Sequence, residues 1–153
     1  MVLQAGDVAP DFELEDSGGQ RWRLSALRGQ RVILFFYPAD DTPGCTAEAC
    51  DFRDARNDLA AAGYAVFGIS PQDKSSHQAF SAKHGLNYPL LVDADLSVAK
   101  AYGTWAEEPG EFNGMPLETK RSTFVIDEQG VIVEARYGVN ARTHVDELRE
   151  ALL

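Results

Sequence analysis

The stretch Arg31-Val32-Ile33-Leu34-Phe35-Phe36-Tyr37, closed by Pro38, decides the fold. Six apolar residues in a row, with no polar alternation, read as a strand buried on both faces. Such strands lie at the centre of a sheet that helices cover on either side. After Pro38 the character changes at once. Ala39-Asp40-Asp41-Thr42-Pro43-Gly44 reads as a loop, and Cys45 to Ala62 as a helix rich in Ala, Glu, Asp and Arg, with Gly63 set to end it. Further along, residues 64–69 form a second buried strand. Residues 74–84 form a helix stopped by Gly85, residues 88–92 a third strand, and residues 96–102 a helix ended by Gly103. Upstream, Phe12-Glu13-Leu14 and Trp22-Arg23-Leu24 alternate around Ser17-Gly18-Gly19 and predict a hairpin, with a short helical turn from Leu24 to Gly29. Downstream, residues 106–119 carry Pro109, Gly110, Gly114 and Pro116 and read as a loop or a small hairpin. Residues 122–126 and 131–133 flank Asp127-Glu128-Gln129-Gly130 as a further hairpin. Thr143 to Leu153 is an amphipathic helix with Val145, Leu148 and Leu152 on one face. The order β-β-β-α-β-α-β-α-β-β-α predicts an α/β fold, a central mixed sheet flanked by helices with an N-terminal hairpin extension. Residues 1–153 make one domain.

Charge and composition exclude several functions. There are 14 basic and 24 acidic residues, so the net charge is 14 − 24 = −10, and the longest basic run is the pair Lys120-Arg121. A phosphate backbone would be repelled by such a surface. The apolar run at 32–36 is far short of the ~20 residues a membrane helix needs. The N-terminus, Met1-Val2-Leu3-Gln4-Ala5-Gly6-Asp7, has no basic leader, and a cytoplasmic location is the expectation. Two cysteines are too few for a disulfide scaffold. His77, His84 and His144 lack metal-ligand spacing and read as surface or capping residues, Asp93 and Asp95 as a turn, and Trp22 and Trp105 as core residues, Trp105 also being able to border a pocket. No metal and no cofactor is expected.

Sheets of this kind hold their sites at the carboxyl ends of strands, which directs attention to the loop after Tyr37. Cys45 falls in the first helical turn beyond that loop, where free amide N–H groups and the positive end of the helix dipole favour thiolate over thiol. The Thr42 hydroxyl, three residues earlier, could donate to the sulfur or to a bound oxygen. Pro43 suits a first helical position, and Gly44 leaves room for a small molecule at the amides. Asp40 and Asp41 oppose this by placing two carboxylates near the nucleophile. Cys50 follows at i+5. On a helix the two Cα atoms lie about 8.6 Å apart, beyond the roughly 7 Å that a disulfide tolerates. The thiols can meet only if the first turns unwind. That separation suits a cycle in which one thiolate is oxidised to sulfenic acid and the other thiol condenses with it.

Pro38-x-x-x-Thr42-x-x-Cys45 resembles the active-site signature of the peroxiredoxins. The longer stretch from Phe36-Tyr37-Pro38 through Thr42-Pro43-Gly44-Cys45-Thr46-x-Glu48-x-Cys50 resembles their bacterioferritin-comigratory-protein subfamily, also called PrxQ. Gly6-Asp7-x-Ala9-Pro10-Asp11-Phe12, Tyr102-Gly103-x-Trp105 and Arg121-Ser122-Thr123-Phe124-Val125-Ile126-Asp127 extend the likeness over nearly the whole chain. The resemblance implies a thioredoxin-like fold and reduction of hydrogen peroxide and alkyl hydroperoxides. It implies Cys45 as the peroxidatic nucleophile, Cys50 as the resolving thiol, Thr42 as the hydroxyl contacting sulfur and peroxide, Pro38 as a shield, and Arg121 as the cation that stabilises the thiolate. Gly44, Glu48 and Trp105 are the further candidates for lining the substrate site. The implied partner is thioredoxin or a similar dithiol protein. A monomer suffices, because both thiols lie in one chain, with a weak dimer as the other state. The alternative to an enzyme is a thiol–disulfide sensor or exchange protein without appreciable turnover.

Overall fold

The structure, a computed structural model, describes residues 2–153, with side chains described at all of these but 107–109, 115 and 116. The run that opens the sequence argument is β3 (Arg31–Phe36), and it is the middle strand of a five-stranded sheet. On one side it pairs in parallel with β4 (Tyr64–Ser70), which pairs in parallel with β5 (Leu90–Val92). On the other side it pairs antiparallel with β8 (Ser122–Ile126), and β8 with β9 (Ile132–Tyr137). The parallel strands are joined by α1 (Pro43–Ala61) and α2 (Lys74–His84), as parallel crossovers require. The remaining elements are the hairpin β1 (Glu13–Glu15) with β2 (Arg21–Arg23), α3 (Ser97–Ala101), the hairpin β6 (Trp105–Phe112) with β7 (Met115–Thr119), and α4 (His144–Leu152).

The two-residue period of β3 divides the core in two. Ile33, Phe35 and Tyr37 face Phe52, Ala55 and Leu59 of α1, Phe80 of α2, and Val145 and Leu148 of α4. Val32, Leu34 and Phe36 face Val98 and Ala99 of α3, with Leu24, Leu91, Tyr102 and Phe124. The Phe35 and Phe52 rings stack at 4.5 Å and bring α1 down onto the sheet. Gly68 makes room for them: a Cβ there would lie 2.9 Å from Phe35 Cζ and 2.8 Å from a Leu90 methyl.

Each sheet edge is engaged in part. The outer side of β9 takes bonds from the N-terminal segment, Gly6 N–H to the Ile132 carbonyl (2.8 Å) and Ile132 N–H to the Asp7 carbonyl (2.8 Å). The Arg136–Glu134 ion pair (3.0 Å) follows along the same strand. A bridge from Asp16 to Leu91 covers part of β5.

Two expectations change and one open reading resolves. Of the loop and the small hairpin read at residues 106–119, the structure forms the hairpin, because Asn113 (φ 51°) and Gly114 (φ 80°) both take the left-handed conformation that a two-residue hairpin turn demands. β9 runs on to Tyr137, well past Val133, since Ser122 pairs with Tyr137 across the ladder although Glu134 and Arg136 break the apolar pattern. His77 and His144 are buried in the interior rather than at the surface. Glu107 and Glu108 make the 106–119 segment acidic in sequence, and their side chains lie outside those described.

Candidate active site

α1 begins two residues before Cys45, with Pro43 in the first helical turn and Thr42 as N-cap. The first helical bond runs from the Thr46 N–H to the Thr42 carbonyl (2.8 Å). The Gly44 and Cys45 amides therefore precede the ladder and have no intrahelical acceptor, and Pro43 has no N–H to leave unpaired. Cys45 is 1% exposed and packs with Tyr37, Ala49 and Phe52.

Arg121, the residue before β8, reaches across to this helix start. Its Nη2 lies 3.3 Å from Cys45 Sγ and its Nη1 lies 2.8 Å from Glu48 Oε1. One guanidinium thus holds a sulfur and a carboxylate one turn apart on the same helix face. Burial works against the charge on Arg121, yet Glu48 and Cys45 beside it hold its pKa above the ordinary arginine value. Glu48 is wholly buried, and burial pushes its carboxyl up to about 7 although Arg121 pulls the other way. Its second oxygen, Oε2, is buried without a hydrogen-bond partner. Gly44 borders the same guanidinium: a Cβ there would stand 3.1 Å from Arg121 Nη2 and 3.5 Å from Ala141 Cβ. The 138–143 turn is tied in by the Val139 N–H, which donates to the Arg121 carbonyl (3.1 Å).

The loop itself departs from expectation in two ways. The Thr42 hydroxyl donates to the Ala39 carbonyl (3.0 Å), so its proton is spent inside the loop. What Thr42 can offer a small oxidant is the lone pairs of that oxygen, as acceptor rather than donor. The two loop carboxylates are not bare charges beside the sulfur either. Asp41, at φ 60°, pairs with Lys83 (2.8 Å) and His84 (3.2 Å) at the end of α2, and those bonds hold its carboxyl below the usual range. Asp40 is buried against Tyr37, Ser76 and His77. Burial first, then Asp40, keeps the Tyr37 hydroxyl protonated and donating. Sequence reasoning missed this cluster, because its two halves, Tyr37 with Asp40 and Ser76 with His77, stand more than thirty residues apart and only the α2 crossover brings them together.

Of the other candidates, Pro38 is buried behind the loop, and Cys50 is half-buried on the same uninterrupted helix as Cys45. Both thiols are free. Trp105 is different. It is 40% exposed at the start of β6, with the Lys100 ammonium 5.6 Å from its ring, and among the described residues no hydrogen bond, ion pair or ring contact joins it to Cys45 or Arg121. Among the described residues, no group of three His, Cys, Asp or Glu side chains is gathered to hold a metal, and no helix is long and apolar enough to cross a membrane.

A thiol held at a helix start, against a fixed cation and open amides, can attack a small electrophile and have the resulting charge stabilised in place. Comparison with known proteins gives the family. Residues 5–135 match the model of the AhpC/TSA family. The chain is 46% identical over 151 residues to a putative peroxiredoxin of Mycobacterium tuberculosis, covering 98% of this chain and 95% of that protein. It is 38% identical to the peroxiredoxin Bcp of Bacillus subtilis, covering 99% and 96%. Among solved structures, the Xanthomonas campestris bacterioferritin comigratory protein, described by its alkyl peroxide reduction activity and trapped intermediate and ligand complexes, superposes with a TM-score of 0.85 at 31% identity, covering 99% and 96%.

Proposed function

The chain belongs to the AhpC/TSA family and is a peroxiredoxin, a thiol peroxidase, and from that membership we propose that hydrogen peroxide and alkyl hydroperoxides are reduced at Cys45. The Cys45 thiolate attacks one oxygen of the O–O bond. That bond breaks, the second oxygen leaves as water or an alcohol once it takes a proton, and the sulfur, oxidised by two electrons, becomes a sulfenic acid. Negative charge moves from sulfur to the departing oxygen, within reach of the Arg121 guanidinium and the Gly44 and Cys45 amides. Thr42 accepts a hydrogen bond from the bound hydroperoxide, Glu48 steadies Arg121, and Pro38 screens the sulfur from bulk water.

Cys50 then condenses with the sulfenic acid, releasing water and forming a Cys45–Cys50 disulfide. Because one helix carries both residues, its first turns unwind for this step. A dithiol protein of the thioredoxin kind returns two thiols and leaves as a disulfide itself. The observation that carries the reading is the 3.3 Å approach of Arg121 Nη2 to Cys45 Sγ at the mouth of the helix. The test is a stopped-flow mixing of the reduced protein with hydrogen peroxide, followed by tryptophan emission and by peroxide-dependent consumption of a dithiol. A Cys45→Ser variant that consumes peroxide at the wild-type rate would overturn it.

A further inference from the structure

The Asp40 cluster lies outside the sulfur, the guanidinium and the helix amides, and the reaction as written does not use it. Four groups converge on this one residue. The Tyr37 hydroxyl donates to Oδ1 (2.6 Å), the Ser76 hydroxyl to Oδ2 (2.7 Å), His77 Nδ1 stands 2.6 Å from Oδ2, and the Asp40 N–H donates to Gln72 Oε1 (2.6 Å). The side chains of His77 and Asp40 are 0% and 3% exposed. The other ring nitrogen of His77, Nε2, faces the Leu91 carbonyl at 3.0 Å.

Donor counting constrains the protons. A carbonyl can only accept, so Nε2 carries a hydrogen. The short Nδ1–Oδ2 contact then holds one further proton between the ring and Asp40. With two hydroxyls donating to Asp40, a carboxylate paired with an imidazolium satisfies every contact of the cluster. The groups that face it are Asp40 and the Tyr37 ring from the β3 end, Ser76 from its own helix and the Leu91 carbonyl from β5.

We propose that His77 is a positioning residue for the peroxidase reaction, a buried cation on α2 that anchors and neutralises Asp40. The loop that carries Thr42 into the Cys45 helix thereby keeps its folded shape without an uncompensated anion near the sulfur. Asp40 follows Ala39, whose carbonyl orients the Thr42 hydroxyl, and Tyr37 links the clamp to the core cluster in which Cys45 lies. The inference rests on the reading of Cys45 as the attacking thiolate. It adds that α2, which contributes no group to the sulfur, sets the electrostatics of the loop.

The test separates charge from packing. In a Cys50→Ser background the ionisation of Cys45 is followed by ultraviolet thiolate absorbance against pH, and oxidation by hydrogen peroxide is timed by stopped flow. His77→Asn keeps a donor toward Asp40 but removes the positive charge. It is expected to raise the thiolate midpoint by roughly half to one pH unit, and to slow peroxide attack about threefold to tenfold below that midpoint. Asp40→Asn with His77→Asn removes both charges and is expected to restore the wild-type midpoint. A single variant with an unmoved midpoint overturns the proposal, and so does a double variant displaced as far as the single one. If His77→Asn fails to fold by circular dichroism, Asp40→Asn alone decides. Loss of an anion should leave the midpoint at or below wild type, and a rise overturns the proposal. The thiolate midpoint is read without turnover, so a failure here is distinguishable from a Cys45→Ser result that overturns the peroxidase reading itself.

Discussion

Arg121 Nη1 stands 2.8 Å from Glu48 Oε1 in a pair whose carboxylate is wholly buried and whose other oxygen has no hydrogen-bond partner. A cation shared between a carboxyl group and a sulfur divides its field between them. The proton on Glu48 therefore governs how much of the Arg121 charge remains for the Cys45 sulfur, 3.3 Å from Nη2.

Replacing Arg121 exposes that division. Arg121→Ala is expected to raise the pH at which Cys45 ionises and to slow peroxide attack by on the order of a hundredfold, the scale of losing one preorganised donor to developing charge. Arg121→Lys keeps the charge but cannot bridge both partners, and should recover only part of the rate. Alkylation rates of Cys45 against pH, beside stopped-flow peroxide rates, check both. Unchanged profiles in Arg121→Ala would remove Arg121 from the site.

Glu48 and His144 tilt the pH dependence of stability in opposite directions. Glu48, with an ordinary value of 4.5 raised to about 7 by burial, holds in the folded state a proton that the unfolded chain has lost. Its contribution is full below 4.5 and is lost as pH rises toward about 7. His144, lowered from 6.5 to about 4 by burial and by Arg136 and Arg121, refuses a proton that the unfolded chain accepts. Its contribution is full above 6.5 and is lost as pH falls toward about 4. Urea unfolding across this range should show stability that rises with pH in Glu48→Gln and falls with pH in His144→Asn. Each slope should amount to roughly 1–3 kcal/mol over its window. Parallel slopes in the two variants would contradict the assignment.

Cys50→Ser should leave the first oxidation near the wild-type rate and stop the cycle there. Mass spectrometry after one equivalent of peroxide is expected to find a single added oxygen on Cys45, and dithiol-dependent turnover should fall at least tenfold. Full turnover in this variant would assign resolution to another thiol.

Gly44→Ala places a methyl 3.1 Å from Arg121 Nη2, closer than the guanidinium can accept without shifting. Peroxide attack should slow about tenfold with little change in folding stability, since the helix tolerates alanine. An unaltered rate would mean that Arg121 can move without consequence.

Much of this molecule was legible in its residues, and the parts that were not share a cause. The apolar run at β3, Pro43 ahead of Cys45, and Gly63 and Gly85 behind two helices are local signals, and they mark the sheet centre and the nucleophile's helix. The Asn113-Gly114 turn is a local signal too, and the prolines around it kept a plain loop open as the other reading. β9 was cut short because a strand at a sheet edge satisfies its backbone through one neighbour, and its charged residues obscure the period. The Asp40–His77 clamp could not be read at all. Nothing near either residue announces a partner thirty-seven positions away, and a histidine inside a helix looks like any solvated one. Trp105, read as a core residue able to border a pocket, is 40% exposed and has Lys100 over its ring.

The bonds from Gly6 and Asp7 along β9, and the charge pair that follows them, bear on how the protein withstands its own cycle. In the proposed cycle each turnover melts the first turns of α1 and would briefly uncover apolar surface beside β3. A sheet with open margins would then invite a strand from another molecule, and repeated oxidation would drive the chains into aggregates. With the N-terminal segment seated on the start of β9 and Asp16 on β5, fewer backbone groups are left for a neighbouring strand each time the catalytic end loosens.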